Sequence, residues 1–586
     1  MLLVRLVCLL VVLGVGALPV TAQDAPRNTS GGPLDPRQAA YDVTYYDLDL
    51  AIDPAAEAIE GTLAVHAAVT DSLDVLVLDL DTKLEARAAF DLGGDLLAAE
   101  PIALGLQRDA GQVLIHLGRT LVPGDSLVVQ VAYGGQPHVA ERPPWQGGFT
   151  WAETEDGQPW VAVSCQGEGA DMWWPVKDHP SDEPDSMRIA LTVPEGLVAA
   201  SNGRLRHTTE TEAEGNPQAG PATRTFEWFV STPINNYTVT AYVAPFRVLS
   251  DTYESVTGET IPITFYVLPE RAADGEAILP FFKDDLRFFE EVFGPYPFRA
   301  DKYGIGHTPY LGMEHQTMIS YGSTFEPNAF GFDWLHNHEL AHEWWGNLVT
   351  ARDWNDFWIH EGFGTYAQAL TAERHGGLDA YRRYLLQSRR LLNNRRPVAP
   401  RESRTTKQMY FADDGASDGD IYYKGAWVLH TLRWLLREES VDGEADDVFF
   451  RTLRRMAYPD PAMEAVTDGS HTRITDTDEL LAIAERVTGR DLDGFFEVYL
   501  RRAGLPRLQT QRVSRGRDRG LALRWVLPDG PLPDGMTFEV PVEVVVNSQA
   551  TRVAMPGGEA FLPMGGEVEA EIDPSMWLLM GEMIEG

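Results

Sequence analysis

The chain has 586 residues, with 48 Lys and Arg against 87 Asp and Glu, and a net charge of −39. That field repels phosphate backbones, which excludes nucleic acid as a main partner. With 44% hydrophobic and 10% aromatic residues but only 2 Cys, the chain must bury large cores and split into several domains, which excludes both disorder and a disulfide scaffold. Only six of the basic residues are Lys. Such a surface suits a protein kept soluble in high salt, and equally an ordinary solvated acidic surface.

Residues 1–22 read as a secretory signal peptide: Arg5, an apolar run from Leu6 to Leu18, then Val20-Thr21-Ala22 before Gln23. The run is shorter than a membrane span requires. The expectation is an exported protein, soluble in the periplasm or the medium, with no stable membrane insertion. Cys8 leaves with the signal, and Cys165 remains as a small buried residue.

After a linker at 23–39, residues 40–247 alternate with period two, as in Tyr46, Leu48, Leu50, Ile52 and Leu127, Val129, Val131, Tyr133. This predicts an N-terminal β-sandwich domain. The uniformly apolar run Leu73 to Leu80 suits a strand covered on both faces. Helical spacing begins near 275 with Phe282, Leu286, Phe289 and Phe293, closed by Gly294-Pro295. Further helices are predicted over 334–348, 361–375, 378–394, 421–438 and 475–503, making 248–504 a mostly helical domain. Alternation returns after Gly504, so 505–586 reads as a small C-terminal β domain; Pro541 places its last strand at an edge. The fold class is multidomain α+β.

Six of the 14 histidines lie between His307 and His360. Among them stands His338-Glu339-Leu340-Ala341-His342, and residues four apart on a helix share a face, so both rings can reach one ion. Zinc suits two imidazoles and a carboxylate with one position left for water. Glu361, at the start of the next predicted helix, is the candidate third ligand, and Glu339 can approach the water without binding the metal.

His338 to Thr350, followed by Trp354, Asp356, Trp358 and Glu361, resembles the zinc core of the M1 family of aminopeptidases. Gly312-Met313-Glu314-His315-Gln316 is similar to the family's Gly-x-Met-Glu-Asn exopeptidase motif, with His315 in place of Asn; Leu311 also departs, and His360 replaces the Asn that usually precedes the third ligand. Tyr422-Tyr423-Lys424-Gly425 resembles the family's Tyr-x-Lys-Gly segment. Trp173-Trp174-Pro175 and Asp182-Glu183-Pro184 look like its proline and Asp-Glu-Pro region, and Gln166 falls where the family keeps a substrate-binding glutamine.

The resemblance implies a thermolysin-like catalytic domain between the two β domains, with the family's large helical domain absent and the cleft more open. It implies one zinc ion per chain held by His338, His342 and Glu361, with Glu339 as general base and Tyr422 at the oxyanion. Glu314, Gln166, Gly312 and Met313 would bind peptide substrates with a free N-terminus. Asn347, Thr350 and Asp356 are candidates for orienting the ligands or for helix capping, and His315, His336 and His360 are read as neighbours. The alternatives are a zinc endopeptidase or epoxide hydrolase on the same scaffold, or a secreted zinc-binding protein without catalysis.

Overall fold

The computed structural model describes residues 30–93, 101–211, 222–412, 414–437, 445–515, 518–564 and 569–586. The predicted signal peptide, Cys8 and the cleavage point at Gln23 lie outside the described residues.

The alternating segments pair into an eight-stranded sheet in which Tyr41–Asp53 runs parallel to Ser186–Pro194 and antiparallel to Ala58–Val69. Tyr46, Leu48, Leu50 and Ile52 are all buried, as are Leu127, Val129, Val131 and Tyr133. A four-stranded sheet and a three-stranded sheet complete this β-rich region. In Leu73–Asp79, of the three-stranded sheet, the consecutive residues Leu76, Val77 and Leu78 are buried, as a strand covered on both faces requires.

The middle of the chain builds a five-stranded sheet from Arg247–Glu254, Thr260–Val267, Tyr303–His307, Ile319–Tyr321 and the edge strand Gly312–Met313. Among the described residues, eight α-helices follow its first two strands: α1 Ala272–Phe293, α2 Trp334–Ala341, α3 Trp358–Arg389, α4 Thr406–Tyr410, α5 Tyr423–Leu436, α6 Asp447–Ala457, α7 Thr477–Thr488 and α8 Asp493–Leu500. Strands from Arg507 onward form a four-stranded and a three-stranded sheet. No helix among the described residues is long and apolar enough to cross a membrane.

Several helical expectations are corrected. The one predicted over 334–348 ends at Ala341, with His342 as its C-cap, because the chain folds back and Gly346 takes φ 139°. The division predicted between 361–375 and 378–394 holds: α3 breaks in backbone geometry at Gly377, where φ is 69°, and ends at Arg389 instead of 394. The stretch 475–503 is two helices, since Gly489 caps α7 in the left-handed conformation. Helix α6 was not predicted, although Val448, Phe449, Thr452, Leu453 and Met456 carry the helical spacing. Pro541 does not mark an edge: Val542–Val546 is the central strand of its sheet, and the proline precedes it, where no ladder hydrogen is needed.

The described part of the 23–39 linker is tied down. Gly31 bridges Thr405, Gly32 N–H donates to the Arg404 carbonyl at 3.1 Å, and Thr406 N–H donates to the Ser30 carbonyl at 3.1 Å.

Two large cores result, one in the β-rich region and one running through the helices into the C-terminal strands. Met313, Trp354, Phe357, Tyr410 and Ile421 belong to the first core although they lie among the helices in sequence. The predicted site residues lie along this seam.

Candidate metal centre

Helix α2 is anchored by Asp333, whose Oδ1 accepts from Leu335 N–H and His336 N–H at 3.0 Å each. The other carboxylate oxygen takes the Tyr321 hydroxyl at 2.6 Å, pinning the helix start to the sheet. His338 and His342 then project from one face toward Glu361 in the first turn of α3. Glycines set the approach of the other elements. A Cβ on Gly364 would lie 3.1 Å from Cε1 of both imidazoles, and a Cβ on Gly362 would lie 2.9 Å from the Cα of Gly425 in α5. This close crossing carries Tyr422, just before α5, to His338, where their rings stack with centroids 6.2 Å apart.

The three expected ligands converge. His338 Nε2 and His342 Nε2 are 3.2 Å apart, and Glu361 Oε2 lies 3.3 Å from the first and 3.5 Å from the second. Zinc bonds of about 2.0–2.2 Å in a tetrahedral arrangement separate donor atoms by about 3.3–3.6 Å. The donor set therefore fits zinc in both chemistry and spacing.

The charge balance points the same way. Glu314, Glu339 and Glu361 are all buried beside His342. Burial opposes charge on His342, yet Glu314, Glu361 and Glu339 push it up to about 10. Burial raises Glu314 to about 7, with His342 opposing and Glu361 adding. Burial likewise raises Glu339, while the hydrogen bonds of Glu361 to both histidines outweigh its burial and hold it well below the usual carboxylate range. Such an excess of buried carboxylate is relieved by a cation.

Hydrogen bonds fix the ligands from behind. His342 Nδ1 lies 2.8 Å from the Trp345 carbonyl and so carries its hydrogen there, leaving Nε2 as the donor to a metal. Glu361 Oε1, turned away from the histidines, accepts from Gln166 Nε2 at 3.1 Å and from Tyr410 Oη at 3.2 Å. Gln166 Nε2 also donates to Glu314 Oε1 at 2.6 Å. Two carboxylates on one nitrogen settle the amide orientation and leave Gln166 Oε1 as the free acceptor.

The remaining predicted residues are placed as follows. Glu339 stands against the edge strand, where a Cβ on Gly312 would lie 2.4 Å from its Oε1. Glu314 directly follows that strand. Met313 is only 1% exposed, its side chain in the β-side core, so it presents backbone alone to the site. Tyr422 Oη lies 3.2 Å from Tyr410 Oη, whereas Tyr423 packs toward Gly419. Asn347 Nδ2 donates to the Glu314 carbonyl at 3.1 Å. Thr350 instead donates to the Gly346 carbonyl, and Asp356 accepts from Thr477, so neither orients a ligand; Asp356 lies one turn before Glu361 and faces α7.

His315 and His336 are bonded to Tyr242 and Tyr303 respectively and are not among the converging donors. His360 does more than its sequence suggested. Its Nε2 accepts from Ala351 N–H at 2.9 Å, so the hydrogen sits on Nδ1, 3.2 Å from Tyr237 Oη, which donates to Glu314 Oε1 at 3.1 Å. Tyr237 and Tyr410 were missed by sequence reasoning. Each is remote from the His-Glu cluster in the chain, and only the capping box Thr405–Gln408 signals the helix that carries Tyr410. Cys165 is buried, its thiol 3.2 Å from the Tyr237 carbonyl.

Two imidazoles and one carboxylate around a common point, with a further glutamate at their side, fit the donor set of an open zinc site. The family model "Peptidase M1 N-terminal domain" matches residues 43–226 and "Peptidase family M1 domain" matches 283–452, together more than half of the chain. The chain belongs to peptidase family M1. It is 25% identical to aminopeptidase N of Streptomyces lividans, over 67% of this chain and 44% of that protein. It is 24% identical to aminopeptidase M1-D of Oryza sativa subsp. japonica, over 86% of this chain and 54% of that protein. The chain thus spans about half the length of these curated relatives. Among solved structures, an M1 zinc metallopeptidase from Deinococcus radiodurans bound to a Tyr-Ser-Ala substrate shares the fold with TM-score 0.62 and 24% identity, over 82% of this chain and 98% of that one. A two-domain M1 zinc metallopeptidase bound to L-tryptophan matches with TM-score 0.62 and 25% identity, over 82% and 99%.

Proposed function

We propose that this protein is a zinc aminopeptidase that removes N-terminal residues from peptides. The observation that carries the reading is the position of Glu314: one amide, Gln166 Nε2, bonds both Glu314 and the ligand carboxylate Glu361, at 2.6 and 3.1 Å. A carboxylate held that close to the metal centre is placed to take a substrate ammonium one residue from the scissile bond.

His338, His342 and Glu361 would hold a zinc ion, which would supply Lewis acidity and lower the pKa of water to about 7. Glu339 takes the proton of the attacking water and passes it to the leaving amine. The Tyr422 hydroxyl donates to the oxyanion as charge builds on the carbonyl oxygen. Glu314, with Gln166 Oε1 as acceptor, fixes the ammonium, and the Gly312–Met313 strand offers its backbone beside it. The test is bound-zinc stoichiometry measured together with turnover of a chromogenic amino-acid amide. One zinc per chain with turnover supports the reading, and stoichiometric zinc without turnover would support a non-catalytic zinc protein.

We further propose that the chain is exported and loses residues 1–22, with domains dividing near 247 and 504. Intact mass of the secreted protein should correspond to a start near Gln23; a mass retaining Met1 in a membrane fraction contradicts export.

A further inference from the structure

Tyr410 has no part in the reaction as described, yet its hydroxyl touches two groups that do. It lies 3.2 Å from Glu361 Oε1 and 3.2 Å from Tyr422 Oη. An ionised carboxylate only accepts, so the single Tyr410 hydrogen goes to Glu361; without substrate the Tyr410 oxygen accepts the Tyr422 hydrogen, which turns to the oxyanion when substrate is bound. One hydroxyl thereby holds Glu361 with Oε2 toward the histidines and keeps the Tyr422 hydroxyl at the metal centre. The ring is 7% exposed and packs edge-on against Phe357, with centroids 5.6 Å apart, so it has little freedom to leave.

The support behind Tyr410 is unusually far from the site in sequence. It is the last residue of α4, whose first residue, Thr406, donates from Oγ1 to the Gly167 carbonyl at 2.7 Å, beside Gln166, the other donor to Glu361 Oε1. Arg396 closes the other end of the helix on the carbonyls of Gln408, Met409 and Phe411. The start of α4 is clamped by the N-terminal arm. Ser30, Gly31 and Gly32 pair with Arg404, Thr405 and Thr406, and the Trp354 indole donates to Ser30 Oγ at 3.1 Å. Gly31 has φ +78°, and a Cβ there would lie 2.1 Å from Trp354 Cδ1, so only glycine seats the arm.

We propose that Tyr410 is a positioning residue for both Glu361 and Tyr422, and that the arm at residues 30–32 holds it in place through α4. The inference rests on the zinc aminopeptidase reading. Its test is zinc affinity by competition with a chromogenic chelator, read beside kcat and KM, on the full mature chain and on Tyr410→Phe, Tyr422→Phe and Gly31→Val.

Tyr410→Phe should bind zinc about 10-fold or more weakly, with a lower kcat when saturated with zinc and an unchanged KM. Tyr422→Phe should lose kcat while keeping wild-type zinc affinity. Gly31→Val, remote from the donor atoms, should shift zinc affinity in the same direction as Tyr410→Phe by a smaller factor, with the far-ultraviolet circular dichroism unchanged. Wild-type zinc affinity and kcat in Tyr410→Phe overturn the positioning role, and wild-type values in a folded Gly31→Val overturn the role of the arm. A wild-type protein that neither binds zinc nor cleaves the amide contradicts the aminopeptidase reading instead.

Discussion

Glu339 and Glu361 are both buried glutamates beside the same histidine, but they are held differently. Glu361 Oε2 completes a triangle of 3.2–3.5 Å with the two Nε2 atoms, whereas Glu339 packs against Gly312. Glu361→Ala should therefore lose zinc, while Glu339→Gln should keep it, and both should be nearly inactive. Metal analysis after dialysis checks this, and full zinc occupancy in Glu361→Ala contradicts the ligand assignment. At the oxyanion, Tyr422→Phe should lower kcat by about 10²–10³ with zinc retained, and Tyr423→Phe should change little. The adjacent tyrosines part company because Tyr422 stacks on His338 and Tyr423 lies against Gly419; a reversed ranking in steady-state kinetics would mean that the wrong hydroxyl has been chosen.

At the scale of elements, much of the site could be read from the sequence because its contacts are local. His338 and His342 meet through helical spacing, and Glu361 opens the next long helix. Contacts between elements could not be read. The crossing of α3 and α5 depends on Gly362 and Gly425 lying face to face, and the chain from Ser30 to Gly32 supports α4 by pairing with residues more than three hundred positions away. Nothing in the local pattern of either segment encodes its partner. Helix α2 is shorter than its apolar spacing suggests, and the turn that follows it brings the Trp345 carbonyl to His342 Nδ1.

A buried carboxylate pair in the β-rich region should make stability depend on pH. Asp171 and Asp178 flank Gly169, where a Cβ would lie 2.9 Å from Asp171 Oδ1 and 2.2 Å from Asp178 Oδ2. Burial raises both carboxyls, Asp178 to about 7, with Asp79 adding to the effect. A folded pKa above the unfolded one means that the native state holds the proton longer, so stability falls as pH rises between about 4 and 7. The stability of Asp178→Asn relative to wild type should grow by about 2 kcal/mol from pH 5 to pH 8. Chemical denaturation at the two pH values checks this, and a pH-independent difference contradicts it.

For the whole molecule, the alternation and its change of period marked out a β-rich region, a helical region and terminal strands, because each has one dominant period. The placement of the site on the seam between two cores has no such signature: Met313, Tyr410 and Ile421 join the β-side core, whereas most of the helical region builds the other. Charge is divided in a similar way. Lys177, Lys302 and Lys424, half of the six lysines, are buried with their ammonium groups on backbone carbonyls, which leaves the surface still poorer in Lys than the composition indicates.

Under the aminopeptidase proposal, Glu314 is the group that reads a free amine. An ammonium gives up strong hydration to enter a buried site, and a carboxylate at ion-pair distance offsets that cost. The direct measurement is kcat/KM of the zinc-loaded protein for a free peptide and its N-acetylated form, for wild type and Glu314→Ala. Wild type should cleave the free peptide at its first bond and scarcely touch the blocked one, and Glu314→Ala should lose most activity on the free peptide together with much of the discrimination. Equal wild-type cleavage of both peptides at internal bonds would contradict the aminopeptidase reading and favour an endopeptidase.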